Sequence, residues 1–370
     1  FAKDHCIFYV RHIQMAANLL LVRTLTVKSL KHPSTTIAKM NELGRRRVPF
    51  LLIADFAMQR PLVLPLAEIS PREILFNING KSNATEQCAA ASDIFFEKFP
   101  LSLSAYRQKF DLVKRHIQAG DSFLVNLTAP TPIATNLSLR EIFHRSQARY
   151  KLWFRDEFVV FSPEIFVQIS NGQIASFPMK GTIDANLPRA KQQILNDKKE
   201  TAEHNTIVDL IRNDLSMVAT DVQVERFRYV EKVYTNGKHL LQVSSKIIGN
   251  LEPDYHAQLG DILFAMLPAG SISGAPKPKT LEIIRAAEQY ERGYYTGIFG
   301  IFDGKNLDSG VMIRFIERTP HGLVYKSGGG ITHFSELEKE YQELIDKVYV
   351  PITGNHPHRK PTDLQSELSQ

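Results

Sequence analysis

Short apolar runs separated by turn residues dominate the chain from about residue 49 to residue 331. "PFLLIADF" (49–56), "EILFNI" (73–78), "FVVFSPEIFVQIS" (158–170), "QIASFPM" (173–179), "GIFGIFD" (297–303), "VMIRFIE" (311–317) and "GLVYKSG" (322–328) are rich in Phe, Val and Ile, and several alternate. They read as strands. "SNGQ" (170–173) and "FDGKN" (302–306) carry hairpin-turn residues. Apolar residues at helical spacing predict helices over 100–119, 188–202 running on to about 218, 276–290 and 335–348. Pro276 suits a first helical turn, and Ser335 with Glu338 has capping-box spacing. Strand blocks with helices at irregular intervals predict an α+β fold rather than a regular βαβ array.

Several polar residues interrupt these patterns. In the helix over 198–219, Ile207, Leu210, Ile211 and Val218 form an apolar stripe. His204, Glu203 and Glu200 fall on the same side of it. Either the helix end emerges into solvent, or two carboxylates and an imidazole face a cleft. The last helix has a stripe of Leu337, Tyr341, Leu344 and Val348, with Glu340 inside it and Glu343 beside it. A solvated charged face is one reading. The other is a single oxygen-rich site built by both helices, suited to Mg²⁺.

"SGGGITHF" (327–334) reads as a loop of three glycines before a helix, either merely flexible or a nest of backbone N–H groups for an anion. "SISGAPKPK" (271–279) is a second such entry to a helix. Arg314 lies in an apolar strand, where a substrate carboxylate is one candidate partner. Lys180 in "SFPMKGTIDANLP" (176–188) follows an apolar pair and precedes a Gly-Thr turn that has no need of a lysine. It is either a solvated turn residue or an amine placed for chemistry.

Charge and composition narrow the function classes. The net charge is +6, yet residues 1–47 hold nine Lys/Arg against two Asp/Glu, so residues 48–370 net −1. The basicity belongs to a leader, and the body has no basic stripe for nucleic acid. Residues 5–41 hold no acidic residue, as in organelle transit peptides. No apolar run approaches the ~20 residues that span a bilayer. Cys6 and Cys88 are the only cysteines, which is neither a disulfide framework nor a zinc-knuckle spacing. The expected organisation is a basic, disordered leader (1–36), one catalytic domain of two interleaved halves (37–352) and a polar, disordered tail (353–370), in a reducing, cytoplasmic setting without nucleic acid or membrane.

Seven ordered motifs, "GDSFLVNL", "SPEIF", "FPMKGT", "KETAEH…VDLIRNDL", "SGAPKPKTLEII", "RGYYTGIFG" and "GGGITHFSELEKEYQE", resemble the chorismate-utilising enzymes from about residue 40 to 352. That family includes anthranilate synthase component I, aminodeoxychorismate synthase component I, and isochorismate and salicylate synthases. The resemblance implies large, mostly antiparallel sheets packed as a sandwich, helices outside, and an active site in a cleft between two halves. "PMKGT" is similar to the "PIKGT" of the aminodeoxychorismate synthases rather than the "PIAGT" of the anthranilate synthases. It thus implies amination of chorismate to 4-amino-4-deoxychorismate for 4-aminobenzoate and folate synthesis, with Lys180 as nucleophile and Glu164 as general acid. Glu203 and Glu343 match direct Mg²⁺ ligands, and Glu200 and Glu340 match carboxylates acting through water. Tyr295, Arg314 and the Gly328, Gly329 and Gly330 amides match groups that hold the enolpyruvyl carboxylate. Thr182, Ser273, Gly274 and His204 complete the expected substrate contacts. Leu124 stands where isochorismate and salicylate synthases resemble one another in a lysine base, and Gln242 where relatives often have histidine. No glutaminase nucleophile is recognisable, so the implied nitrogen source is ammonia from a separate glutamine amidotransferase subunit.

Overall fold

The computed structural model describes residues 33–85, 94–235 and 238–352. Most of the proposed leader, both cysteines and the proposed tail lie outside these residues. The described strands form two nine-stranded sheets, antiparallel throughout. In sheet one, the order is β11 (Met179–Asp184), β13 (Lys238–Asn250), β10 (Gln173–Ser176), β9 (Ile165–Ser170), β16 (Leu307–Val311), β15 (Ile298–Phe302), β1 (Phe50–Ala54) and β2 (Leu62–Pro65), with β12 (Thr220–Thr235) also on β13. In sheet two it is β14 (Gly274–Ala275), β6 (Leu124–Thr135), β18 (Gly322–Ile331), β17 (Phe315–Thr319), β8 (Phe158–Ser162), β7 (Tyr150–Phe154), β3 (Ile74–Ile78) and β4 (Lys81–Ser82), with β5 (Phe96–Lys98) also on β6.

The continuous apolar strands are explained by burial on both faces. In β1, Leu51 and Ile53 point into the core between the sheets, while Phe50, Leu52 and Ala54 join a second core under helices Pro33–Arg45 and Leu259–Ala265. β8 divides likewise: Phe158 and Val160 face the inter-sheet core, and Val159 and Phe161 face an outer cluster with helix Leu139–Arg145. Period-two alternation disappears when both sides of a strand are apolar. Helices Leu103–Gln118, Lys277–Glu288 and Leu337–Asp346 cover the outer face of sheet two. The molecule is thus the expected sandwich of antiparallel sheets with helices outside.

Two strands predicted as single runs are sheet-to-sheet crossovers. The 158–170 run leaves sheet two at Ser162, passes through Pro163 and Glu164, and enters sheet one at Ile165. The 311–317 run leaves sheet one at Val311 and enters sheet two at Phe315. Between them Arg314 adopts a left-handed φ of 53°, a conformation that costs a non-glycine residue energy and marks a constrained site.

Three further expectations are corrected. Pro33–Thr36, assigned to the leader, begin the first helix, and Thr36 is buried with its hydroxyl donating to the Pro61 carbonyl (3.4 Å). Ser335 does not cap the last helix: its Oγ accepts from Thr332 N instead, and the helix begins two residues later at Leu337. A capping box does occur, at Ser138 and Glu141. Gly328–Gly330 are no pre-helix loop but the end of β18, paired with Thr128, Leu127 and Asn126 of β6.

Candidate active site

The two crossovers lie side by side. Val311 N donates to Glu164 O (3.1 Å), and Phe161 N donates to Arg314 O (3.1 Å). This backbone pairing brings an acid from one strand exchange beside a guanidinium from the other. Tyr295 joins them because Thr296 N and Gly297 O bond the Met312 backbone, and its ring packs 5.8 Å from Phe315. Together they open on a cavity of about 360 Å³. Burial pushes the Glu164 carboxyl upward, while the Ser271 hydroxyl at 2.7 Å from Oε1, Lys347 and Arg314 oppose that shift. Burial also pushes the Tyr295 phenol well up, so it stays protonated.

Lys180 is aimed by a β-bulge. Met179 pairs with Ser244 and Thr182 with Gln242, so β11 has one more residue than β13 across this interval. Gly181 absorbs the irregularity at a φ of +85°, and a Cβ there would stand 3.0 Å from Glu200 Oε2. A bulge with glycine in the left-handed region re-aims the adjacent side chain. Lys180 reaches the cavity, where its Nζ lies 2.7 Å from Glu203 Oε2. Burial depresses this amine, but Glu203, then Glu343 and Glu200, outweigh burial and hold its pKa above the ordinary lysine value. In this state Lys180 is an ammonium.

Glu203 comes from helix Lys198–Ser216, whose start is set by Asp197 accepting from Glu200 N (2.9 Å). Glu343 and Glu340 come from helix Leu337–Asp346. A Cβ on Gly329 would lie 3.5 Å from Glu340 Oε2 and 3.6 Å from Glu343 Oε1. The strand's missing side chain therefore leaves its backbone against these carboxylates. Lys347, which the sequence did not single out, bonds Glu343 Oε1 (2.6 Å) and the Gly328 carbonyl (2.7 Å), and Arg314 reaches the Lys347 carbonyl (3.5 Å). Burial lowers the Lys347 pKa, Glu343 opposes, and Arg314 and Lys180 lower it further. Its only sequence signal is i,i+4 spacing from Glu343. Ser271, likewise missed, lines the cavity through its contact with Glu164.

Thr182, Tyr295, Arg314, Gly328, Gly329 and Gly330 line the cavity with Lys180, Glu164, Glu203 and Glu343. Leu124 and Gln242 also line it, and Gln242 Nε2 lies 2.9 Å from Met179 Sδ. Three expected contacts do not belong to its wall. His204 is wholly buried against β13, its Nε2 2.7 Å from Ser245 Oγ, and burial pushes its pKa down to about 4. One residue along a helix turns the side chain by about 100°, which separates His204 from Glu203. Ser273 Oγ donates to the Ala269 carbonyl (2.9 Å) within its own short helix. Gly274 sits where a Cβ would meet Leu124 O at 1.8 Å, so it serves close strand pairing.

The four carboxylates do not form a ready-made ion cage: among the described residues no group of three or more His, Cys, Asp or Glu side chains is arranged to hold a metal. Of the four, Glu203 and Glu343 line the cavity while Glu200 and Glu340 are not part of its wall; they adjoin the other two, since Lys180 feels Glu203, Glu343 and Glu200 together and Gly329 adjoins Glu340 and Glu343. An all-carboxylate set on two helices fits a hard divalent cation that keeps some of its waters.

A half-buried acid, an amine and several cations thus surround one cleft between the two sheets. The sequence profile of the chorismate binding enzymes matches residues 71–353, and the chain belongs to that family. It is 53% identical over 317 residues to an uncharacterized PabA-like protein of Pasteurella multocida, covering 85% of this chain and 98% of that one. It is 36% identical over 259 residues to aminodeoxychorismate synthase component 1 of Salmonella typhimurium, covering 66% of this chain and 56% of that one. The crystal structure of anthranilate synthase component I from Streptococcus pneumoniae superposes with a TM-score of 0.59 at 28% identity, over 69% of this chain and 59% of that one. Among the described residues no helix is long and apolar enough to cross a membrane.

Proposed function

We propose that the protein aminates chorismate to 4-amino-4-deoxychorismate, as an aminodeoxychorismate synthase component I serving 4-aminobenzoate and folate synthesis. The observation that carries this reading is Lys180 opening on the same cavity as the half-buried acid Glu164, whose pKa is raised. The 36% identity to the Salmonella protein supports it.

Hydroxide is a poor leaving group, so the C4 oxygen must depart protonated. Glu164, its pKa raised by burial, is the proton donor. Lys180, an ammonium while it rests on Glu203, must first give a proton to solvent; the neutral amine then bonds to C2, the ring electrons shift, the C4–O bond breaks and the oxygen leaves as water. Ammonia then bonds to C4, the electrons shift back and the C2–N bond to Lys180 breaks. The proton shed by the new C4 ammonium returns to Glu164, restoring both groups. Two allylic displacements replace one hard substitution. Arg314, Lys347, the Tyr295 hydroxyl and the Gly328–Gly330 backbone hold and orient the substrate's carboxylates. Glu203 and Glu343 would hold Mg²⁺ directly, with Glu200 and Glu340 through water, and the ion would neutralise the ring carboxylate. Ammonia would come from a separate glutamine amidotransferase subunit, with ammonium salts as substitute in vitro.

Product identification by mass spectrometry tests this. Purified protein given chorismate, ammonium and Mg²⁺ should yield 4-amino-4-deoxychorismate. Anthranilate and pyruvate instead would favour the second reading, anthranilate synthesis, which the Streptococcus structure supports. Unchanged chorismate would favour a non-catalytic binding role.

A further inference from the structure

Each helix that contributes carboxylates to the polar end of the cavity has one of them bound by a lysine. Lys180 Nζ lies 2.7 Å from Glu203 Oε2, and Lys347 Nζ lies 2.6 Å from Glu343 Oε1. The two pairs differ in how they are anchored. Lys347 is also tied to the Gly328 carbonyl at 2.7 Å. The side-chain exposure of Lys180 is 29%, against 6% for Glu203. In this pair the carboxylate is the fixed member and the amine, on four rotatable carbons, is the one able to turn away. We propose that Lys180 and the divalent cation compete for Glu203: without metal the lysine ammonium is the counter-ion of the carboxylate cluster, and arrival of the cation displaces it toward the bound ring.

This deepens the proposed function and rests on its assignment of Glu203 as a metal ligand. The physical reason is charge. A carboxylate 6% exposed is costly unless a cation neutralises it. A lysine supplies one positive charge at contact distance, whereas a divalent ion supplies two at the shorter distance of an oxygen ligand. Two cations held against one carboxylate repel each other, so each weakens the other's hold on Glu203. The contact that stabilises the metal-free protein therefore opposes metal binding, and ion binding coincides with release of the amine. By reciprocity, whatever weakens the lysine contact must strengthen cation binding. Gly181 fits this role: its bulge fixes where the Lys180 side chain begins, so only side-chain torsions need change.

The test needs no turnover. Mn²⁺ binding is measured by electron paramagnetic resonance, and Mg²⁺ binding by calorimetry, on the full chain without chorismate. Circular dichroism checks that each variant is folded. Lys180→Met and Lys180→Gln, either of which suffices if the other fails to fold, should tighten Mn²⁺ binding on the order of tenfold. Lys180→Arg keeps the charge and should stay within about twofold of the parent. Glu203→Gln should weaken binding by roughly tenfold or more. Neutral Lys180 variants that bind Mn²⁺ no more tightly than the parent, while Glu203→Gln weakens it, would overturn the competition and leave the ligand assignment standing. Arginine tightening binding as much as methionine would also overturn it, since charge would not be the cause. An unchanged Mn²⁺ affinity in Glu203→Gln would remove the ligand assignment and the competition with it.

Discussion

Glu164 and Lys180 show how neighbours set the chemistry of a single group. Burial raises the Glu164 carboxyl, and the Ser271 hydroxyl opposes by favouring its charged form. A general acid works only while protonated, so turnover should fall as pH rises through the Glu164 pKa. In Ser271→Ala the carboxyl loses a donor to its charged form and its pKa rises further. The alkaline limb of the pH–kcat profile should then move up by on the order of one unit. A limb that stays put or moves down would contradict the role given to Ser271. Lys180→Ala should cut amination at low ammonium by roughly a hundredfold or more; turnover near the parent level would remove the covalent step. Lys180 and Arg314 were legible in the sequence because each sat where local structure had no use for it, whereas Glu164 was reached only through the resemblance to the chorismate-utilising enzymes. Ser271 and Lys347 were not, because one looks like any loop serine and the other like any helix-end lysine. His204 lies outside the cavity wall, a distinction not legible beforehand because helical periodicity resolves a broad face and not one side chain from its neighbour.

Among the elements, β18 carries the sharpest contrast between folding and function. Gly328 and Gly329 are adjacent in one strand, so their substituents point to opposite faces. A Cβ on Gly328 would stand 2.5 Å from the Leu127 carbonyl oxygen. Gly328→Ala should therefore destabilise the protein by about 1–3 kcal/mol in urea unfolding. A Cβ on Gly329 meets nothing nearer than Glu340 Oε2 at 3.5 Å. Gly329→Ala should fold with stability within about 0.5 kcal/mol of the parent yet raise KM for chorismate, because a methyl group enters the cavity wall. Equal urea midpoints for the two variants would contradict this assignment of faces. Many of the strands were visible as apolar runs, although the more polar β6, β12 and β13 were not. Their ends were not, since "VMIRFIE" and "FVVFSPEIFVQIS" each keep their apolar character across a change of sheet.

Over the whole molecule, the two sheets are joined by chain that passes directly from one to the other, and the crossovers share hydrogen bonds and an inter-sheet core. Neither sheet can lose its packing without exposing apolar surface of the other. Unfolding should be one cooperative transition despite the length of the chain. Trp153, the chain's sole tryptophan, is 5% exposed in sheet two. Its fluorescence and the far-ultraviolet circular dichroism should follow the same urea curve. A tryptophan transition separated from the dichroism transition would show that the sheets unfold independently. Without resolving β6, β12, β13 or helix Pro33–Arg45, the sequence by itself determined the α+β class, many of the apolar strands and four of the long helices, and most of the odd residues from which the site is made. These depend on interactions between near neighbours, or on residue types a local structure does not require. Only the tertiary structure decided which strands share a sheet, that three glycines are strand rather than loop, and that Lys180 is held by Glu203. Those outcomes depend on contacts between residues far apart in the chain, where spacing along the sequence carries no information about distance.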